Sequence, residues 1–144
     1  MKILRKLQAI FVLLLLGQIG FLAVVHFFIQ PEAPLGQEDD ILLYILPIIM
    51  VFALTTGGLL SKQRFIESRK LTTLDEKLRI YQSTSLIRMA LLEGANLTAI
   101  VFYLTGGNQA VALMAIIGLS AFVSLLPTTS RMQRELALQE EELS

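Results

Sequence analysis

Glu93 stands inside an apolar run of the chain, where a carboxylate has few neighbours to solvate it. A charge at such a depth in a membrane costs several kcal/mol, so the group must be protonated, paired or set in a wet cavity. Its chemistry would be reversible binding of a proton or a small cation. Asn96 follows within one turn and can hydrogen-bond it. Gln18, near the middle of the first apolar run, needs a partner, and Glu93 and Asn96 are the candidates. Arg88 lies about 140° away from Glu93 around the axis. An intrahelical pair is strained there, so Arg88 snorkels to an interface or pairs across helices. Glu93, Asn96, Gln18 and Arg88 form the candidate ion-binding set. The same groups can serve as interhelical glue.

Other chemistries are excluded or unsupported. The chain has no Cys, one His and no Trp. Disulfides, thiolate catalysis and Cys-ligated metals are therefore impossible, and no His cluster can hold a metal within one chain. No nucleophile–base pair is visible among the polar residues, so a non-enzyme without a cofactor is expected. His26 falls near the outer edge of its run, where a His needs no special role.

The elements that carry these residues follow from composition. Hydrophobic residues make up 54 % of the 144 and charged residues 17 %, and the mean hydropathy is +0.66. Four apolar blocks, at 9–29, 41–60, 86–105 and 109–126, are long enough to span a bilayer, since about 20 residues cross a ~30 Å hydrocarbon core. They lack period-two alternation and are read as helices. The expected fold class is an all-α, integral membrane four-helix bundle in a single domain. The first block has a basic start, but Phe27-Phe28-Ile29-Gln30-Pro31 offers no small-residue cleavage site, so it reads as a retained helix rather than a signal peptide.

Every Lys and Arg falls at the N-terminus (Lys2, Arg5, Lys6), between blocks two and three (Lys62 to Arg79), at Arg88, or in the tail (Arg131, Arg134). The first connection carries Glu32, Glu38, Asp39 and Asp40 instead, and the third is the tight Gly106-Gly107-Asn108. The positive-inside rule then places both termini in the cytoplasm of a bacterial inner membrane. Basic residues are thereby explained by topology, and nucleic-acid binding is not expected.

Thr73-Leu74-Asp75-Glu76 has capping-box spacing, so helix three starts there and runs about 33 residues, or ~50 Å. Helix two extends toward Arg69, and residues 61–85 form a cytoplasmic helical hairpin. Pro47 predicts a kink in helix two. In the tail, 127–144, Ser130-Arg131-Met132-Gln133 has the spacing of a second box. A short helix follows and ends in Glu140-Glu141-Glu142. It either lies on the membrane through Met132, Leu136 and Leu143 or frays in solvent. Small residues mark the helix-packing surfaces: Gly17, Gly20 and Ala23, Gly94, and the ridge Ala112, Ala115, Gly118, Ala121 and Ser124. A shift of about 76 residues lays Leu15-Leu16 on Leu91-Leu92 and Phe27 on Tyr103, which suggests two repeated hairpins.

The stretch from Leu86 to Ala95 (LIRMALLEGA) resembles the ion-binding helix of the rotor-ring proteolipid, subunit c, of rotary ATP synthases. That resemblance implies that Glu93 is a reversible proton or sodium carboxylate. No block here has the family's glycine-rich partner helix, so Glu93 alone carries over. Over nearly its whole length the chain resembles small bacterial four-helix membrane proteins of unknown function. The likeness is carried by the basic N-terminus, the stretch from Tyr81-Gln82 to Leu92-Glu93-Gly94, and the basic, then acidic, tail.

The expected function is a structural, accessory or assembly role in the membrane. Its partners would be the lipid bilayer and a homo-oligomer or membrane protein partner. The alternative is a proton- or sodium-coupled translocator using Glu93, with a membrane enzyme or lipid-binding protein as a third class.

Overall fold

A computed structural model describes residues 2–29 and 41–138. The acidic connection at 30–40 and the acidic run at 140–142, with Leu143, lie outside the described residues. Within them the chain is all-helical, without a strand. Helix α1 (Lys2–Ala23) continues as a wider π-helical segment, Val24–Ile29. Then come α2 (Leu42–Ser68), α3 (Leu74–Gly106), α4 (Gln109–Val123) and α5 (Thr129–Leu136). Three helical stretches, Lys2–Ile29, Leu43–Ser68 and Leu74–Gly106, are long and apolar enough to cross a membrane.

Local chemistry sets the ends. Helix α3 begins after Thr73, as the spacing predicts. The expected reciprocal box is not formed, however: the Thr73 hydroxyl donates to Glu76 Oε2 at 2.6 Å and no side chain caps the backbone. At the far end Gly107 adopts φ 67° and its N–H donates to the Tyr103 carbonyl at 2.8 Å, a conformation that favours glycine. Asn108 then caps α4 by accepting from the Ala110 N–H at 2.9 Å. Helix α4 has 15 residues, fewer than the about 20 of a typical span. It closes in turns at Leu125 and Leu126 before Pro127, whose ring disfavours helix at the residue before it.

Pairings between helices give their directions. Gln18 meets Asn96 and His26 meets Tyr103, so α1 and α3 run parallel. Gln8 bonds Pro127 and Phe11 stacks on Phe122 at 5.1 Å, so α1 and α4 are antiparallel. Phe65 stacks on Tyr81 at 5.6 Å while Gly57 touches Arg88, so α2 and α3 are antiparallel. All the Lys and Arg side chains therefore gather at the end where α1 begins and α2 turns into α3. The core has three buried tiers. Tyr103, Ile100 and Val111 lie at one end, Phe11, Met89, Leu92 and Phe122 in the middle, and Leu7, Phe65, Tyr81 and Met132 at the basic end. The outside is as apolar as the inside: Phe28 is 83 % exposed, Leu13 70 % and Ile48 67 %. Such a surface has no favourable contact with water.

The described part of the tail, to Leu138, takes neither of the expected forms. Helix α5 folds under the basic end, with Met132 and Leu136 fully buried against Leu7, Phe65, Leu78 and Tyr81. Side chains four apart share a helix face, and this face found a core before it found lipid. Its start is also two residues earlier than the Ser130 box implies. Thr128, just after Pro127, accepts from the Arg131 N–H at 3.2 Å. Helix α5 ends on Ala137 in the left-handed region, φ 52°. A residue with a Cβ pays about 1–2 kcal/mol there, partly offset by the greater unfolded entropy of glycine. Ala137→Gly should stabilise the docked tail by about 0.5–1 kcal/mol. The check is protease protection of the tail in detergent-solubilised protein, which should rise in the variant.

Candidate functional site

Of the four candidate ion-site residues, two meet. Asn96 Nδ2 donates to Gln18 Oε1 at 2.7 Å, and both side chains are completely buried. Helix α3 offers Asn96 toward α1 because its inward arc also carries Met89, Leu92 and Tyr103. Helix α4 closes the site with Gly118. A Cβ added there would lie 2.8 Å from Asn96 Cγ and from Met50 Cε, and would overlap Asn96 Oδ1. The carboxamide therefore rests on bare backbone, and α1, α2, α3 and α4 all converge within a few ångströms of it. Gln18 Nε2 and Asn96 Oδ1 have no hydrogen-bond partner among the described residues.

Glu93 is not part of this arrangement. It is half-buried and makes no hydrogen bond or ion pair among the described residues. The expected Glu93–Asn96 bond is absent. Their side chains diverge by about 60° around α3, and Asn96 is turned inward to Gln18.

Arg88 joins a different group. Its Nη1 lies 3.2 Å from Glu135 Oε1 on α5, the pairing across helices that the sequence left open. Arg131 Nε reaches the same oxygen at 3.0 Å. Arg131 also donates to the Ser124 carbonyl, and Arg69 Nη2 donates to the Glu135 carbonyl at 3.3 Å. Glu135 was not among the expected site residues. The signal available was its i,i+4 spacing from Arg131, which says nothing about Arg88. Beside this group α2, α3 and α5 border an open cavity of about 370 Å³, walled by Ser61, Phe65, Ile66 and Glu135 and by the cations Lys62, Arg69, Arg88 and Arg134.

At the opposite end His26 is exposed but hydrogen-bonded. Its Nδ1 is 2.7 Å from the hydroxyl of buried Tyr103, which Gln109 Nε2 also approaches at 3.4 Å. The π-helical segment carries His26 to this position.

The small-residue surfaces divide. Ala112, Ala115 and Gly118 are buried and Ala121 is half-buried, so the α4 ridge packs inward. Gly17, Gly20 and Gly94 are exposed, and a Cβ on any of them would meet nothing within 4 Å. They pack no helix of this chain, because each lies on an outward arc. No group of three or more His, Asp or Glu able to hold a metal occurs among the described residues.

No protein-family model matches the chain, and neither the curated proteins nor the solved structures contain a match to it.

Gly118→Ala tests the amide crossing. Overpacking a filled core costs typically about 1–3 kcal/mol, and unfolding in detergent should register that loss. In an Asn96→Ala background the obstructing carboxamide is gone, so the same change at 118 should cost clearly less. Equal costs in the two backgrounds would show that Asn96 does not press on this helix.

Proposed function

We propose that the chain is a non-enzymatic, four-helix integral membrane protein with a structural, accessory or assembly role. The pairing of Gln18 with Asn96 rather than with Glu93 carries this reading. An ion site needs several oxygen ligands converging on one point. Here the buried amides are spent on holding helices together, and Arg88 is spent on Glu135. The apolar exterior and the three long helices support the membrane setting. Helix α4, with its closing turns to Leu126, is the fourth span and reaches across a locally thinned or narrow region. The gathering of the cations at one end supports cytoplasmic termini in a bacterial inner membrane.

Sidedness has a direct test, since the chain has no native Cys. A membrane-impermeant maleimide should label Thr105→Cys in intact cells and Arg64→Cys only after permeabilisation. The reverse pattern would overturn the orientation.

One observation favours a second reading, ion translocation. Glu93 is left without a partner at the margin of α3's buried arc, where a second copy of the chain could reach it. The likeness of its helix to the rotor-ring proteolipid points the same way. Glu93→Gln separates the readings, because the amide keeps size and hydrogen-bonding capacity but cannot release a proton. A structural Glu93 predicts a stability change below about 1 kcal/mol, within the range of intramembrane hydrogen bonds, and no change in ion flux. A transporting Glu93 predicts an intact fold in detergent and loss of proton or sodium flux in proteoliposomes.

A further inference from the structure

We infer that the cavity bordered by α2, α3 and α5 binds the phosphate of an anionic phospholipid headgroup. The inference rests on the membrane reading above, and charge balance is its first support. Four cations, Lys62, Arg69, Arg88 and Arg134, line a space of about 370 Å³ that contains one carboxylate, Glu135. That carboxylate is already divided, since Arg88 and Arg131 both bond its Oε1. Arg88 is held there with its side chain only 17 % exposed. Lys62 and Arg134 make no hydrogen bond or ion pair among the described residues. Positive-inside topology asks only that cations face the cytoplasm. It does not ask that four of them, from three helices, surround one hollow.

Depth is the second support. Lys62 lies just past the inner end of the second apolar block and Arg88 just inside the third, so the cavity sits where headgroups sit. Basic pockets between helices on the cytoplasmic side suit anionic headgroups. The cavity has room for about a dozen waters, enough for a phosphodiester and its glycerol. Its apolar wall is also suited to a lipid. Phe65 is buried behind the cations, and Ile66 is exposed beside Lys62. A second groove along α2 shares Lys62 and Ile66 and runs on past Leu59, Gln63, Glu67 and Lys70, a mixed wall whose apolar members, Leu59 and Ile66, give an acyl chain a surface to lie on. A free phosphate would use the cations and leave this groove empty.

Native mass spectrometry of the full chain in an uncharged detergent reads the binding. The probes are phosphatidylglycerol, phosphatidylcholine and inorganic phosphate. Phosphatidylglycerol should bind at one copy with at least about tenfold preference over phosphatidylcholine. Lys62→Gln with Arg134→Gln should weaken it about thirtyfold, taking about 1 kcal/mol per basic residue. Both side chains are exposed and make no bond in the fold, so the variant should keep wild-type stability. Arg5→Gln with Lys6→Gln removes two exposed cations from the same end and should leave binding within about twofold of wild type. Equal loss in the two double variants would show diffuse attraction and overturn the site. So would wild-type protein with no preference between the lipids. Binding of inorganic phosphate as tightly as phosphatidylglycerol would overturn the lipid assignment. The acidic run at 140–142 follows α5 in the sequence, so the comparison is repeated with all three Glu changed to Gln. Unchanged selectivity there supports the cavity as its source, and selectivity that appears or vanishes with the run assigns it to the tail instead. Release of the chain from membranes by alkaline carbonate would sink the membrane reading and this site together. Loss of selectivity in a chain that resists carbonate would sink this site alone.

Discussion

Two amides with no water to turn to fix how the helices cross. Gln18 and Asn96 are completely buried, and an unpaired amide in an apolar interior is costly. Their bond at 2.7 Å therefore sets the rotation of α1 about its axis, the rotation of α3, and the axial register between them. Other features follow from that register. It carries His26 to Tyr103 one tier away. It turns Asn96 onto α4, where only a residue without a side chain fits, and so demands Gly118. It also turns the neighbouring Glu93 to the margin. The position of the carboxylate in the apolar stretch of α3 is thus a consequence of where the amides had to go.

That register lies close to the internal shift of about 76 residues seen in the sequence. The bonded pairs are separated by 78 and 77 positions. Those offsets show that α1 and α3 run parallel with their starts nearly level, as two like hairpins placed side by side would also have them.

Much of the fold was legible because lipid-compatible helices obey few rules. The Thr73 start and the Gly107 stop depend on neighbouring residues alone, and each appears where the residues imply; the fourth block was expected to reach 126, and α4 stops at Val123. Tertiary choices were less legible. Arg88 and Glu135 are 47 positions apart, and nothing local marks them as partners. Met132 and Leu136 advertise an apolar face without saying whether lipid or protein will cover it. Gly17 and Gly20 show the same limit from the other side. Small residues permit close approach, but only the rotation imposed by Gln18 decides that these two look outward and Gly118 inward.

Glu93 and the basic cavity together show how polar groups are distributed in this chain. The two amides in the apolar middle bond each other and are only half satisfied, since Gln18 Nε2 and Asn96 Oδ1 have no partner among the described residues. Charge is concentrated at one end, where Arg88 and Arg131 share the Glu135 carboxylate and two further cations, Lys62 and Arg134, line the same hollow. One carboxylate cannot neutralise four cations, so the hollow keeps an excess of positive charge that attracts anions. On the membrane reading proposed above, the Arg88 end of the α3 polar arc would meet headgroups, whereas Glu93, about a turn and a half deeper, would meet lipid chains or another protein.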